Sequence, residues 1–210
     1  MLLDLIKKRR STRIFNGKKI PREYILSIIE AGTWAPTGCN NQELRFLILD
    51  NKKEIEEFIK FKPFFRGVST VILVFCDMSL PLSRMYYEKA SHGLQFIDTG
   101  LALANMVLYA KSQSIDSCIV NLSEYHFGRR ETNLFKKIIK KIKITLGLHA
   151  SLKNNFEFYL RNSLKTPKHL KIMGGVAFGY SDRYPNINTE MHGGKPIMRK
   201  DVNYYIIKRK

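Results

Sequence analysis

The sequence predicts a layered domain of the α/β or α+β class. Three features carry that expectation. Segments with the apolar spacing of amphipathic helices alternate along the chain with short β-prone runs. Ser69 to Asp77 is apolar without a break from Val71 to Cys76, the pattern of a strand buried on both faces. From about Glu88 to Gln113 the chain reads as one long helix, apolar on nearly all sides between Leu94 and Ala110, which belongs at the centre of a domain or of a dimer.

In chain order, Leu2 to Lys8 fits a short helix, Ser11 to Phe15 is β-prone, and Asn16-Gly17 supplies a turn. Pro21 suits the first position of a second helix, whose stripe of Ile25, Ile28, Ile29 and Gly32 keeps helical spacing until Pro36 stops it. Arg45 to Asp50 reads as a strand. Asn51 with Glu54 resembles a capping box ahead of a helix bearing Ile55, Phe58 and Ile59. After the buried strand and the long helix, Ser114 to Asn121 and Ile172 to Tyr180 complete the strands, and a basic tail from Lys195 ends β-prone at Tyr204 to Ile207.

The chain has 210 residues, 44% hydrophobic and 26% charged, which suits one domain with a sizeable core or at most two small ones and excludes general disorder. With neither internal repeat nor low-complexity linker, we treat residues 1–210 as a single domain. Lys and Arg number 36 against 18 Asp and Glu, a net +18. Such an excess points to an anion: a phosphate-bearing cofactor, an acidic substrate, nucleic acid or a membrane surface. The interval 123–171 holds 12 basic and 3 acidic residues, half of the whole excess, and is expected to be a basic insertion. Within it Leu134, Phe135, Ile138, Ile139, Ile142 and Leu146 form an amphipathic stripe with the lysines mostly off it.

The first ten residues have the wrong order and length for a secretory signal, and the most apolar runs fall far short of the ~20 residues that span a bilayer. A cytoplasmic protein without a membrane span is expected. Cys39, Cys76 and Cys118 are odd in number and lack a C-x-x-C pair, so neither a disulfide framework nor a thiolate metal site is indicated. His92, His126, His149, His169 and His192 show no tight ligand spacing either, so no metal is expected.

Two segments carry candidate chemistry. In Arg9-Arg10-Ser11-Thr12-Arg13 an extended backbone sends Arg9, Ser11 and Arg13 to one side, where two guanidinium forks and a hydroxyl can grip a phosphate; the string also fits a solvated face. Ala35-Pro36-Thr37-Gly38-Cys39-Asn40-Asn41-Gln42 joins a helix to a strand. An ordinary turn accounts for Pro36 and Gly38 but not for three consecutive amides, whose paired donors and acceptors suit the edge of a heterocycle.

Together and in this order the two segments resemble the flavin-dependent nitroreductase superfamily, with its N-terminal R-R-S-x-R element and later A-P-[ST]-x-x-N-x-Q loop. The likeness continues through the strands and long helix to Gly174-Gly175-Val176-Ala177-Phe178-Gly179-Tyr180 and the basic Lys195 to Lys200, omitting the basic interval. It implies an α+β, nitroreductase-like three-layer sandwich, a mixed sheet covered by helices, in a homodimer. It further implies that Arg9, Ser11 and Arg13 hold the phosphate and ribityl chain of FMN, with Arg10 adjacent and Arg199 or Lys200 closing the clasp. Pro36, Thr37 and Gly38 would line the isoalloxazine ring, Asn40 and Gln42 would serve the partner subunit's flavin, and backbone donors near Val120 and Asn121 would reach its central ring.

The implied activity is reduction of a small oxidised substrate, nitroaromatic, quinone-like or related, by NADPH or NADH in a ping-pong cycle. No protein nucleophile or acid/base dyad is then required, because the flavin carries the redox chemistry. The chain departs from the pattern where many members follow the glutamine with Pro-Trp and it has Glu43-Leu44. Phe61, Phe64, Phe65, Tyr86 and Tyr87 are expected in core or dimer packing rather than substrate stacking. A rival reading makes the chain a basic binding module, its segment Leu134 to Leu146 engaging nucleic acid or an anionic membrane; with no recognised nucleic-acid motif present, no nucleic-acid partner is expected.

Overall fold

A computed structural model describes residues 2–83, 93–122, 156–183 and 200–206. Among the described residues four strands form one sheet: β1 (Leu44–Leu49), β2 (Thr70–Asp77), β3 (Asp116–Val120) and β4 (Leu170–Gly179), in the order β1-β2-β4-β3. Among the described residues lie the helices α1 (Leu2–Lys8), α2 (Arg22–Thr33), α3 (Lys52–Phe61), α4 (Leu94–Ser112) and α5 (Phe156–Asn162).

The uninterrupted apolar run of β2 is explained by its place inside the sheet, with every residue buried. Alternation along the strand divides its side chains between two cores. Val71, Leu73 and Phe75 face Phe58 and Phe65 together with Phe156 and Leu160 of α5. Ile72 and Val74 face the other way, towards Ile25 and Ile28 of α2 and Leu103, Met106, Val107 and Ala110 of α4. The three layers are therefore α3 with α5, the sheet, and α2 with α4.

All neighbouring strands pair antiparallel. The mixed character expected of the sheet is confined to two isolated parallel bridges, Ser11 with Ser117 and Ile14 with Arg66, so the β-prone Ser11 to Phe15 forms bridges and not a strand. Pro21 is the N-cap of α2, one position ahead of its expected place. Tyr204 lies in a 3₁₀ turn, Val202–Tyr205, where a β-prone end was expected. The Tyr204 amide bonds the Asp201 carbonyl at 3.0 Å, and strand preference counts only where a neighbouring strand is there to pair. Ile207 lies outside the described residues, as do 88–92 at the expected start of the long helix.

The capping residue of α3 is as the sequence indicates, with Asn51 Oδ1 accepting from the Glu54 amide at 3.0 Å. Asn51→Ala is expected to lower stability by about 1 kcal/mol, read as a shift of the urea midpoint. Of the basic interval, residues 123–155 with the stripe Leu134 to Leu146 lie outside the described residues, whereas 156–171 belong to the fold, Phe156 and Leu160 being core residues.

Candidate functional site

Beyond α1 the backbone runs parallel to β3, where the Thr12 amide donates to the Ser117 carbonyl at 3.0 Å. Alternation turns Thr12 inward, and it is only 1% exposed. Arg9, Ser11 and Arg13 gather about the Cys118 thiol. Burial raises that thiol's pKa, and the Arg13 charge, the Ser11 hydroxyl and the Arg9 charge oppose the rise. Arg10 is directed elsewhere, its guanidinium donating to the carbonyls of Lys7 and Arg9 at the C-terminal end of α1, where a cation is favoured. Arg13 also borders a cleft of about 560 Å³ with Thr12, Phe15, Phe64, Ser181 and Arg183. The Thr12 hydroxyl oxygen is buried there without a hydrogen-bond partner.

The amide-rich loop is strained and heavily braced. Cys39, Asn40 and Gln42 take φ values of 54°, 52° and 49°, in the left-handed region, which costs on the order of 1–3 kcal/mol per non-glycine residue. Such geometry persists only where the surroundings enforce it. Thr37 ties the loop internally, its hydroxyl accepting from the Gln42 amide at 3.0 Å and its carbonyl from the Asn40 amide at 2.9 Å. Gly38 ties it to α4: its amide donates to Asp98 Oδ2 at 3.0 Å, and a Cβ here would stand 2.2 Å from Leu94 Cδ2.

Behind this loop lies a polar cluster that the sequence analysis did not single out. Glu43 and Asp98 are 2% and 3% exposed and share a hydrogen-bonding contact. Burial and then Asp98 raise the pKa of Glu43. Asn41 donates to Ser83 Oγ at 2.8 Å, and Gln95 to the Ser83 carbonyl at 3.1 Å. Two signals were available, an acid inside an otherwise apolar helix and Glu43 at the position where the family pattern differs. The Cys76 thiol nearby is pushed up to about 12, by burial first and then by Glu43. Cys76 and Cys118 are therefore expected to resist alkylation at pH 8 in the folded protein and to react on denaturation, measured by mass spectrometry.

Of the other predicted residues, Pro36 and Asn40 are exposed on the loop, Val120 is buried in the core and Asn121 follows it exposed. Arg199 lies outside the described residues, and Lys200 sits 5.7 Å from the Tyr204 ring. Phe61 and Phe65 pack in the core as expected, while Phe64 is half exposed at the cleft; Tyr86 and Tyr87 lie outside the described residues. Among the described residues no group of side chains could hold a metal, and no helix is long and apolar enough to cross a membrane. The strip Arg9 to Arg13 adjoins β3 and the loop Pro36 to Gln42 leads into β1, at opposite edges of the sheet.

Residues 6–62 match the Nitroreductase family model. A Methanothermobacter thermautotrophicus protein named as an NADH dehydrogenase/NAD(P)H nitroreductase is 28% identical over 114 residues, 53% of this chain and 56% of that protein. An iodotyrosine deiodinase of Thermotoga neapolitana is 30% identical over 112 residues, 40% of this chain and 60% of its own. A ribonuclease HII of Helicobacter pylori is 33% identical over 104 residues, 50% of this chain and 48% of its own. The chain thus spans about half to three-fifths of the length of these relatives. A Desulfovibrio desulfuricans protein named as a nitroreductase and solved in complex with FMN superposes with a TM-score of 0.65 at 22% identity, over 100% of this chain and 96% of that one. A nitroreductase family protein of Streptococcus pneumoniae gives 0.66 at 18% identity over 100% of both chains. The structural likenesses run the length of the chain and fix its fold.

Proposed function

We propose that the chain is a member of the nitroreductase superfamily and an FMN-dependent oxidoreductase that passes electrons from NADPH or NADH to a small oxidised acceptor in a ping-pong cycle. The observation that supports this reading is that Arg9, Ser11 and Arg13 all act on the Cys118 thiol of β3, which puts two guanidinium groups and a hydroxyl, the groups that grip a phosphate, on the same side of the strip. These three residues hold the phosphate end of FMN, and Pro36, Thr37 and Gly38 line the ring. The bound flavin supplies the hydride and electron chemistry. The chain's own residues bind and orient it, and their positive charge favours its reduced, anionic form.

A homodimer completes the site in this proposal. The strip and the loop occupy opposite edges of one sheet, so a second copy brings its Asn40 and Gln42 to the first copy's strip. The outer side of α4 offers the contact: Phe96, Ile97 and Leu101 are 42%, 58% and 40% exposed, an apolar stripe of the kind that marks an interface. The test is the visible spectrum of the purified protein with FMN, followed anaerobically through addition of NADPH or NADH. Bound flavin that bleaches is the expected result, and failure to bind FMN removes the proposal.

A further inference from the structure

The loop that faces the flavin in this proposal is braced through one backbone bond to a buried acid, and that acid touches a second one. Two carboxyls shielded from water and in contact cannot both carry charge without a large penalty. Glu43 and Asp98 are each at least nine-tenths buried, and the side chains acting on Glu43 are Asp98 and Asn41, neither of them a cation. Their roles are distinguishable by geometry. Asp98 Oδ2 accepts the Gly38 amide at 3.0 Å, a bond best made by the ionised form. Glu43 Oε2 is buried with no partner, an orphan that a proton turns into a donor.

We propose that Glu43 and Asp98 share one proton and act as positioning residues for the loop Pro36 to Gln42: Asp98 holds the Gly38 amide, and protonated Glu43 donates to Asp98. The bearing on FMN rests on the proposed function, whereas the shared proton does not. The groups beside the pair are the Cys76 thiol of β2, Asn41 and Ser83, and Asp77, next along β2, acts on Cys76. Cys76 stays neutral across the range that matters, its pKa being about 12. Asp77 is matched by Arg45 at 3.0 Å and by His169 at 3.9 Å. Neither supplies a cation to the pair, and a single shared proton relieves the repulsion between the two carboxyls.

The pH dependence has a definite sign. The folded protein keeps the Glu43 proton at pH values where the unfolded chain has lost it, so stability declines as pH climbs from the ordinary glutamate value towards the raised one. Above the raised value the pair carries two charges, Asp98 is repelled, and the Gly38 brace loosens. FMN affinity therefore falls as pH rises through the raised value.

Two measurements test this. In the apoprotein, infrared difference spectra against Glu43→Gln are expected to show a buried carboxylic acid at neutral pH in the parent alone. Trp34, the one tryptophan and the residue before the loop's Ala35, is expected to report a fluorescence transition with pH that Glu43→Gln lacks. With FMN, the dissociation constant of the parent is expected to rise about tenfold through that same transition, and that of Glu43→Gln to stay flat. Asp98→Asn is the second variant: its amide can donate to Glu43 and removes the carboxyl opposite it, so the Trp34 transition is expected to move to lower pH than in the parent. An ionised Glu43 in the parent at neutral pH, or an equal rise in both proteins, overturns the proposal. A parent that binds no FMN at any pH removes the proposed function, while the infrared band and the Trp34 transition still decide the proton.

Discussion

Substituting Arg13 by alanine is expected to weaken FMN binding on the order of 10- to 100-fold, the equivalent of one charge-assisted hydrogen bond of about 1.5–3 kcal/mol. Arg13 borders the cleft and also lies with Arg9 and Ser11 around Cys118, so its loss removes one of two forks from the proposed phosphate site. Arg13→Lys keeps the charge but loses the planar pair of donors, and an intermediate loss is expected. Arg10→Ala is the matched control. Its guanidinium is committed to carbonyls at the end of α1, so a stability loss of about 0.3–1 kcal/mol is expected, with FMN affinity changed far less than in Arg13→Ala. Fluorescence titration of FMN with each purified variant measures the series. Equal affinity in Arg13→Ala and the parent would remove the assignment of the clasp.

The second large effect is on the fold. Gly67→Ala is expected to destabilise the protein by roughly 3 kcal/mol or more, a considerable share of the ~5–15 kcal/mol of a typical domain. Gly67 has φ +63°, and a Cβ there would lie 2.1 Å from the Phe15 carbonyl oxygen and 2.7 Å from its carbon. Left-handed strain accounts for about 1–3 kcal/mol, and overlap with backbone, which cannot rotate aside as a side chain can, adds the remainder. The damage falls on an assembled segment. The Arg66 amide bonds the Arg13 carbonyl at 3.1 Å, the Phe15 amide bonds the Arg66 carbonyl at 2.8 Å, and the Gly17 amide bonds the Gly67 carbonyl at 3.1 Å. Pushing this segment outward moves Arg13 with it, so FMN affinity should fall alongside the urea midpoint. An unchanged midpoint would show that the close approach of residues 15 and 67 is not maintained in solution.

How much of this was legible before the structure depended on how local each signal is. Asn51 capping α3, the two-faced burial of Val71 to Cys76, and the grouping of Arg9, Ser11 and Arg13 follow from spacing and residue type within a few positions. Tyr204 shows the opposite case, since its β-preference is a preference for a pairing partner, and a local turn forms in its place. For the candidate site, the strip and the loop were recognisable as segments, yet their placement at opposite edges of the sheet was not. That placement follows from the order β1-β2-β4-β3, in which β4, late in the chain, inserts between β2 and β3.

The sequence by itself determined the succession of helices and strands, the Arg/Ser strip, the amide loop and the family they resemble, because periodicity, caps and short motifs are written among near neighbours. The tertiary structure alone decided that the strands pair antiparallel, that Arg10 turns back onto α1 while Arg13 does not, and that Glu43 meets Asp98 beneath Gly38. Those outcomes depend on how α4 stacks on the sheet and on which side chains the stacking removes from water, and no local pattern in the chain encodes that.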